Sequence, residues 1–450
     1  MAGTFFSVIP VGLALILAFV TRDAILAMLC AILVGSVMLN GVHFIAPIVH
    51  NYFLDGLSGN LEIIFGLLLV GIWIELMKAG GGYRGFAKWC EKHVDTPKKA
   101  LRNTFWFSLL TSFHIYLSNL LIPPMMKPAV KEHNIPPVKI PMIIVSTSSP
   151  MSTMLPFTIF ILFFSSLIVS GVEGYDAMSL YIQSIPFMFY CMISIIFGFL
   201  YSHGFIPDIG PIKKLSQQQA EIAKNEESLD ESFLGGKPGQ EDLLALILPV
   251  VSLLIALAAS YFADGMIDFT SSVFTAIIVT VVYDLARKRI KIADISGIMV
   301  DGFLSITPIM LILFVAFGFG RMVTATGFNT YVVGLLGGAF SPSLVPVALF
   351  LVGSLIAYAT GSLTASAVII LPMGLPLAIA TGAPLTLCIG ACVSGAQFGD
   401  LSSPLSDNMI MPSASAGVSP VDTAKCLLPY RLITLVITAL IFLAVGFIMA

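Results

Sequence analysis

Residues 394–407 read SGAQFGDLSSPLSD. Two carboxylates, Asp400 and Asp407, and three hydroxyls, Ser402, Ser403 and Ser406, share this run with Gly395, Gly399 and Pro404, and apolar segments flank it. An unbroken helix is disfavoured there, because glycine costs about 1 kcal/mol and proline about 3 kcal/mol against alanine in a helix interior. At membrane depth, irregular backbone survives only where it is packed in protein or lines a cavity. An acid in such a place marks an ion or substrate path. A shorter relative of the stretch, Ser148-Ser149-Pro150-Met151-Ser152, lies in the first half of the chain.

The surroundings are those of a polytopic membrane protein. Of 450 residues, 57% are hydrophobic and 10% charged, with a mean hydropathy of +0.98; soluble domains carry about 25% charged residues. The net charge of −3 points to no nucleic-acid partner. The six cysteines (Cys30, Cys90, Cys191, Cys388, Cys392 and Cys426) have no CxxC spacing and read as buried, inert thiols. The opening MAGTFFSVIP has no basic n-region, so residues 4–20 are expected as a retained first span. No P-loop, zinc spacing or nucleophile–base pair is present, and neither an enzyme nor an ATP-driven pump is expected.

Apolar spans are expected at 4–20, 24–40, 61–78, 178–202, 243–262, 269–286, 304–326 and 430–449. Residues 80–102 carry Arg84, Lys88, Lys92, Lys98, Lys99 and Arg102 and read as a short amphipathic surface helix. Residues 103–128 are interrupted by His114, Ser118, Asn119 and three prolines, and 140–171 by Ser146-Thr147-Ser148-Ser149-Pro150. The polar segment 203–242 reads as a linker between two halves, 1–202 and 243–450.

The halves share ordered matches. Asp23 pairs with Asp268, Asp55-Gly56 with Asp301-Gly302, Pro124-Met125-x-x-Pro128 with Pro372-Met373-x-x-Pro376, and Ser148-Ser149-Pro150-x-Ser152 with Ser402-Ser403-Pro404-x-Ser406. Lys and Arg of short loops collect on the cytoplasmic side. The basic loop follows the third span in the first half (84–102) but the second span in the second half (287–291). The repeats are therefore expected to be inverted, with both termini outside and the linker inside. Lys425 and Arg431 count as inside charges, and Lys127, Lys131 and Lys139 favour 103–128 as a re-entrant hairpin. The expected fold is an all-α polytopic membrane protein of about ten crossings and two re-entrant hairpins. The hairpins fall at about 103–128 and 343–380, the broken helices at about 140–171 and 385–417.

Inverted repeats with broken helices meeting near the midplane describe a secondary transporter working by alternating access. In the second half, Ser362, Thr364 and Ser366 should face Asp400, Ser402, Ser403, Ser406 and Asp407. In the first half, Ser118 and Asn119 should face Ser146, Thr147, Ser148, Ser149, Ser152 and Thr153. Hydroxyl, amide and freed carbonyl oxygens are hard ligands for small cations. Acid is present only in the second copy. A carboxylate that holds Na+ when ionised and H+ when neutral is the simplest exchanger. Asp407 is the first candidate and Asp400 the second; the competing role for either is to cap a half-helix. Glu75 is expected at the cytoplasmic interface and His114 as a hydrogen-bonded packing residue.

SGAQFGDLSSPLSDNMI (394–410), ATGSLTASAVIILPMGLPLA (359–378) and ALILAFVTRDAILAMLCAILVGSVMLNG (14–41) resemble the NhaC-type sodium/proton antiporters of the ion transporter superfamily. The resemblance implies Asp400, Ser403, Pro404, Ser406 and Asp407 as core site positions, with Gly361, Ser362 and Thr364 at a hairpin tip. It also implies a homodimer with an elevator-type moving bundle. The chain has GSLTAS where the family commonly reads more like GTSWGT, and Asn408-Met409 where it often has Thr-Thr. The leading expectation is Na+/H+ exchange across the inner membrane, with Na+ and H+ as the ions and no organic cofactor. The alternative is a Na+-coupled symporter of an amino acid or carboxylate. A cavity beside Asp407 with room only for a hydrated ion favours the first; one admitting an organic molecule between the hairpins favours the second.

Overall fold

The computed structural model describes residues 4–21, 23–58, 61–91, 96–132, 135–171, 176–212, 236, 239–264, 268–328, 331 and 341–449. Arg22, Lys92, Lys213, Lys214, Lys224, Lys237, most of the 203–242 linker and most of the 327–342 loop lie outside them, as do the side chains of Lys127 and Lys131. The described residues are helical throughout, with no strand.

The first half runs α1 (Val8–Thr21), α2 (Ala24–Asn40), short helical turns over 41–58, α3 (Leu61–Ala79), α4 (Gly82–Glu91), α5 (Pro97–Leu110), α6 (Ile115–Glu132), α7 (Lys139–Met154), α8 (Ile159–Gly171), α9 (Ala177–Ser184) and α10 (Phe189–Ser202). The second runs α11 (Leu244–Asp264), α12 (Phe269–Ala286), α13 (Ile295–Ala325), α14 (Val345–Thr360), α15 (Leu363–Thr381), α16 (Leu385–Ser402), α17 (Asp407–Ala416) and α18 (Pro420–Met449). By length and composition, five described helices can cross a membrane, or eight if each bent pair is one span. Two of the five are the arms of the hairpin over 342–381.

Asp23 and Asp268 do equivalent local work: each carboxylate accepts a hydrogen bond from a backbone N–H three residues on, capping α2 and α12. Glycines act in pairs where α13 packs on α3 and on the helical turn at 55–58. A Cβ on Gly56 would press on the Phe317 backbone at 3.1 Å, and one on Gly302 on the Ile72 Cα at 2.6 Å. Gly56 and Gly302 stand 246 positions apart, and Gly71, which meets the Gly302 carbonyl, stands the same distance from Phe317. The Gly56–Phe317 approach thus matches the Gly302–Gly71 approach at the same offset.

Both broken helices are present, but the first breaks later than its serines suggest. α7 continues through Ser146–Thr153, and the chain turns at 155–158, bending 58° into α8. Pro150 does not end the helix, because the carbonyl it leaves without a donor, that of Ser146, accepts the Ser194 hydroxyl of α10 at 3.0 Å. The actual breaks share one grammar. Leu155 and Ser403 are extended, as a residue before proline prefers. Two residues past each proline, the Thr158 or Ser406 hydroxyl accepts a backbone N–H of the next half-helix. Pro156 and Pro404 stand 248 apart, the spacing of the two Pro-Met-x-x-Pro motifs, so Ser152 rather than Ser146 is the partner of Asp400.

Other expectations shift. The first hairpin is α5–α6 with its tip at 111–114, so Ser118 and Asn119 lie inside α6. Residues 80–102 form two helices instead of one. Span 178–202 is bent 48° at Pro186, and α13 is bent 47° near Pro308. The last helix starts at Pro420, and Arg431 is fully buried rather than a surface charge. Its guanidinium donates to Ser194 at 2.8 Å, Ser146 at 3.0 Å and Tyr190 at 3.2 Å, tying α18 to α7 and α10.

Candidate functional site

Asp400 sits in the last turn of α16 and is 2% exposed. Ser406 donates to one carboxylate oxygen at 2.7 Å and Asn408 Nδ2 to the other at 2.7 Å. Both donors are neutral, and no ion pair among the described residues includes Asp400. Burying a charge without a cationic partner is costly, and a proton or a cation at this carboxylate would lower that cost. Ser406 places itself by capping α17: it accepts the Asn408 N–H while donating to Asp400.

Asn408 carries the site across to the first half. Its carbonyl accepts Asn119 Nδ2 at 3.2 Å and its amide reaches Ser149 Oγ at 3.4 Å. Ser148 donates to Asn119 Oδ1 at 3.3 Å. Beneath this, Gln397 is fully buried, donating to Ser149 at 2.6 Å and accepting from Thr153 at 3.1 Å. A wholly neutral amide–hydroxyl network therefore joins α6, α7, α16 and α17. Gln397, inside the quoted motif, matches no acid or hydroxyl pattern, and Asn408 stands out in the sequence only as a departure from the family's Thr-Thr. Asn408→Leu leaves Asp400, Ser149 and Asn119 short of partners. About 1–3 kcal/mol of destabilisation is expected for each orphaned buried group. A thermal melt in detergent reads it, and an unshifted midpoint would remove the bridge.

A cavity of about 360 Å3 opens onto this centre. Phe113 and His114 of the first hairpin tip line it, with Gly361, Ser362 and Thr364 of the second, and with Asp400, Asp407, Asn408 and Ser152. Gly361 is required by geometry: it ends α14 in the left-handed region (φ 66°), and a Cβ would lie 2.9 Å from the Leu405 carbonyl carbon of the second break. Asp407 is exposed at the start of α17. Glu75 also lines the cavity, paired with Lys78 at 3.2 Å. His114 accepts or donates a 3.3 Å bond with the Tyr83 hydroxyl.

Most of the other expected ligands are engaged in hydrogen bonds within the bundle. Ser118 bonds Thr111 at 2.6 Å within the first hairpin, and Ser366 donates to the Gly353 carbonyl at 3.2 Å within the second. Ser403 accepts the Leu405 N–H at 3.3 Å inside the break, and the Ser402 hydroxyl is buried with no partner among the described residues. Ser146 holds Arg431, and Thr147 donates to the Ile143 carbonyl of its own helix.

Two hairpins and two broken helices converging on one cavity inside an apolar helical bundle define a membrane transport protein. The chain belongs to the Na+/H+ antiporter family, whose model matches residues 142–447. It is 25% identical to an uncharacterized protein of Haemophilus influenzae over 477 aligned positions, covering 98% of this chain and 91% of that one. Its fold is similar to that of the Alcanivorax borkumensis YdaH transporter (TM-score 0.65, 14% identity, 97% of this chain and 98% of that chain). It is also similar to Neisseria gonorrhoeae MtrF, described among a class of antimetabolite efflux pumps (TM-score 0.65, 15% identity, 98% and 96%).

Proposed function

We propose that this protein is a secondary active transporter that exchanges Na+ for H+ across the cytoplasmic membrane, with Asp400 holding one ion or the other. The observation that carries the reading is a buried carboxylate with only neutral donors, at the end of a cavity between two hairpin tips. Ser406, Ser362, Thr364 and the Asn408 and Asn119 carbonyls are the oxygens available to complete a Na+ shell. Asp400 takes precedence over Asp407, because Asp407 is exposed at the cavity while Asp400 is buried at its end. Asp407 then serves as the outer station and sets the field at the start of α17.

The matched glycine contacts of α13 and the shared break grammar support two inverted repeats, with about ten crossings and two re-entrant hairpins. The basic clusters at 84–102 and 287–291 orient them with both termini outside. The NhaC-type motif and an elevator-like movement of the hairpins and broken helices within a homodimer belong to the same reading.

One observation favours a second reading. A cavity of about 360 Å3 exceeds what a hydrated ion needs and falls within the size of small-molecule sites, about 300–1,000 Å3. Na+-coupled movement of a small organic solute, such as an amino acid or carboxylate, fits that space. The description of the similarly folded MtrF among antimetabolite efflux pumps supports this reading. Proteoliposomes with an internal pH dye and an imposed Na+ gradient separate the two. Exchange requires a Na+-driven pH change with no solute added. A silent dye, together with Na+-dependent thermal stabilisation by an amino acid, would replace exchange with symport.

A further inference from the structure

The C-terminal end of α12 holds a carboxylate that the central cavity does not use. Asp284 is 0% exposed, and neither of its oxygens has a hydrogen-bond partner among the described residues. It packs on Gly80 at the end of α3, where a Cβ would lie 2.5 Å from both oxygens. The guanidinium that acts on it belongs to Arg289, whose backbone N–H bonds the Asp284 carbonyl at 2.8 Å. That guanidinium is engaged elsewhere. It pairs with Asp242 at 2.7 Å and donates to the Gly80 and Gln240 carbonyls at 2.9 and 3.2 Å, leaving Nε without a partner.

Two carboxylates thus face one guanidinium, and only Asp242 is paired with it. Of the other charged groups nearby, Arg84 of α4 acts on Glu241. Glu75 and Lys78 of α3 pair with each other, Lys88 of α4 pairs with Glu241 at 2.8 Å, and Arg287 and Lys288 are exposed. Tyr283 donates to Asp242 at 2.6 Å, not to Asp284. An ionised carboxylate out of water and without donors costs several kcal/mol, so the group takes up a proton or draws the guanidinium away from its partner.

What the guanidinium holds is the end of the linker. Residues 240–242 lie on the corner formed by Gly80–Gly82 and α4, so closely that a Cβ on Gly81 would overlap the Gln240 carbonyl and one on Gly85 the Asp242 backbone. Gly81 has φ +81°, which also favours glycine.

We propose that Asp284 is a regulatory proton site, separate from the transport cavity, that latches the end of the linker. With the proton bound, Arg289 stays on Asp242 and residues 240–242 remain docked. When the proton leaves to water, the Asp284 carboxylate competes for Arg289 through its free Nε, and the segment is released. The site is independent of which ion or solute the cavity carries.

Hydrogen exchange of residues 240–247 in the full-length protein, corrected for intrinsic rates, tests the latch between about pH 6 and pH 9. Protection in the wild type is expected to fall roughly tenfold with rising pH, equivalent to about 1.4 kcal/mol, and in Asp284→Asn to stay high throughout. An unchanged pH dependence in that variant, or none in the wild type, overturns the proposal. Arg289→Gln supplies a second arm should Asp284→Asn fail to fold: the segment is expected to be unprotected at every pH. Wild-type protection in Arg289→Gln also overturns it.

Discussion

Asp400→Asn is expected to abolish Na+-driven proton movement in proteoliposomes while leaving the protein folded. The amide keeps the shape of the carboxylate and still accepts the Ser406 hydroxyl on one oxygen. The lost charge removes a ligand interaction of about 1.5–3 kcal/mol, roughly ten- to a hundredfold in Na+ affinity. Losing the titratable group removes the proton half of the cycle altogether. Asp407→Asn, at the exposed start of α17, is expected to weaken Na+ dependence without eliminating it. Wild-type flux in Asp400→Asn would remove that residue from the ion path. Complete loss in Asp407→Asn alone would reverse the order of the two.

The second large effect is on stability. α16 crosses α14 through Gly395 and Gly399. A Cβ on Gly395 would overlap the Phe350 carbonyl, and one on Gly399 would overlap the Tyr358 N and crowd the Ala357 carbonyl carbon at 2.5 Å. These neighbours are backbone, so no rotamer change relieves them, and the helices must part. Close approach through small residues is how membrane helices gain contact in the absence of a hydrophobic drive between them. Gly399→Ala is expected to cost about 3 kcal/mol, the upper end for overpacking, and to displace Gly361 and Ser362 at the end of α14. Gly12→Ala in α1 has nothing within 4 Å and is the control, neutral or slightly stabilising. Equal melting temperatures for both variants would mean the crossing is looser than described.

How far the sequence could be read depended on how local the signal was. The Ser403-Pro404 break and its Ser406 cap are written in adjacent residues, and the structure has them there. Ser146–Pro150 carries the same letters and stays helical. The difference is the Ser194 hydroxyl, 48 positions away, occupying the carbonyl that Pro150 orphans. Arg431 shows the same limit: beside an apolar span it reads as a surface charge, but three hydroxyls from α7 and α10 bring it fully inside.

By itself the sequence determined that the chain is a bundle of apolar helices, that one of them breaks at Ser403-Pro404, and that acid belongs to only one break. Those features follow from backbone propensity, capping and proline sterics within a few residues. Only the tertiary structure decided which polar side chains meet: Asn408 with Asn119 and Ser149, Gln397 with Thr153, and Asp400 inside with Asp407 outside. The physical reason is that lipid and protein interior are both apolar. A membrane helix therefore carries little hydrophobic contrast between its buried and exposed faces, and its polar residues reveal their partners only when the helices are packed.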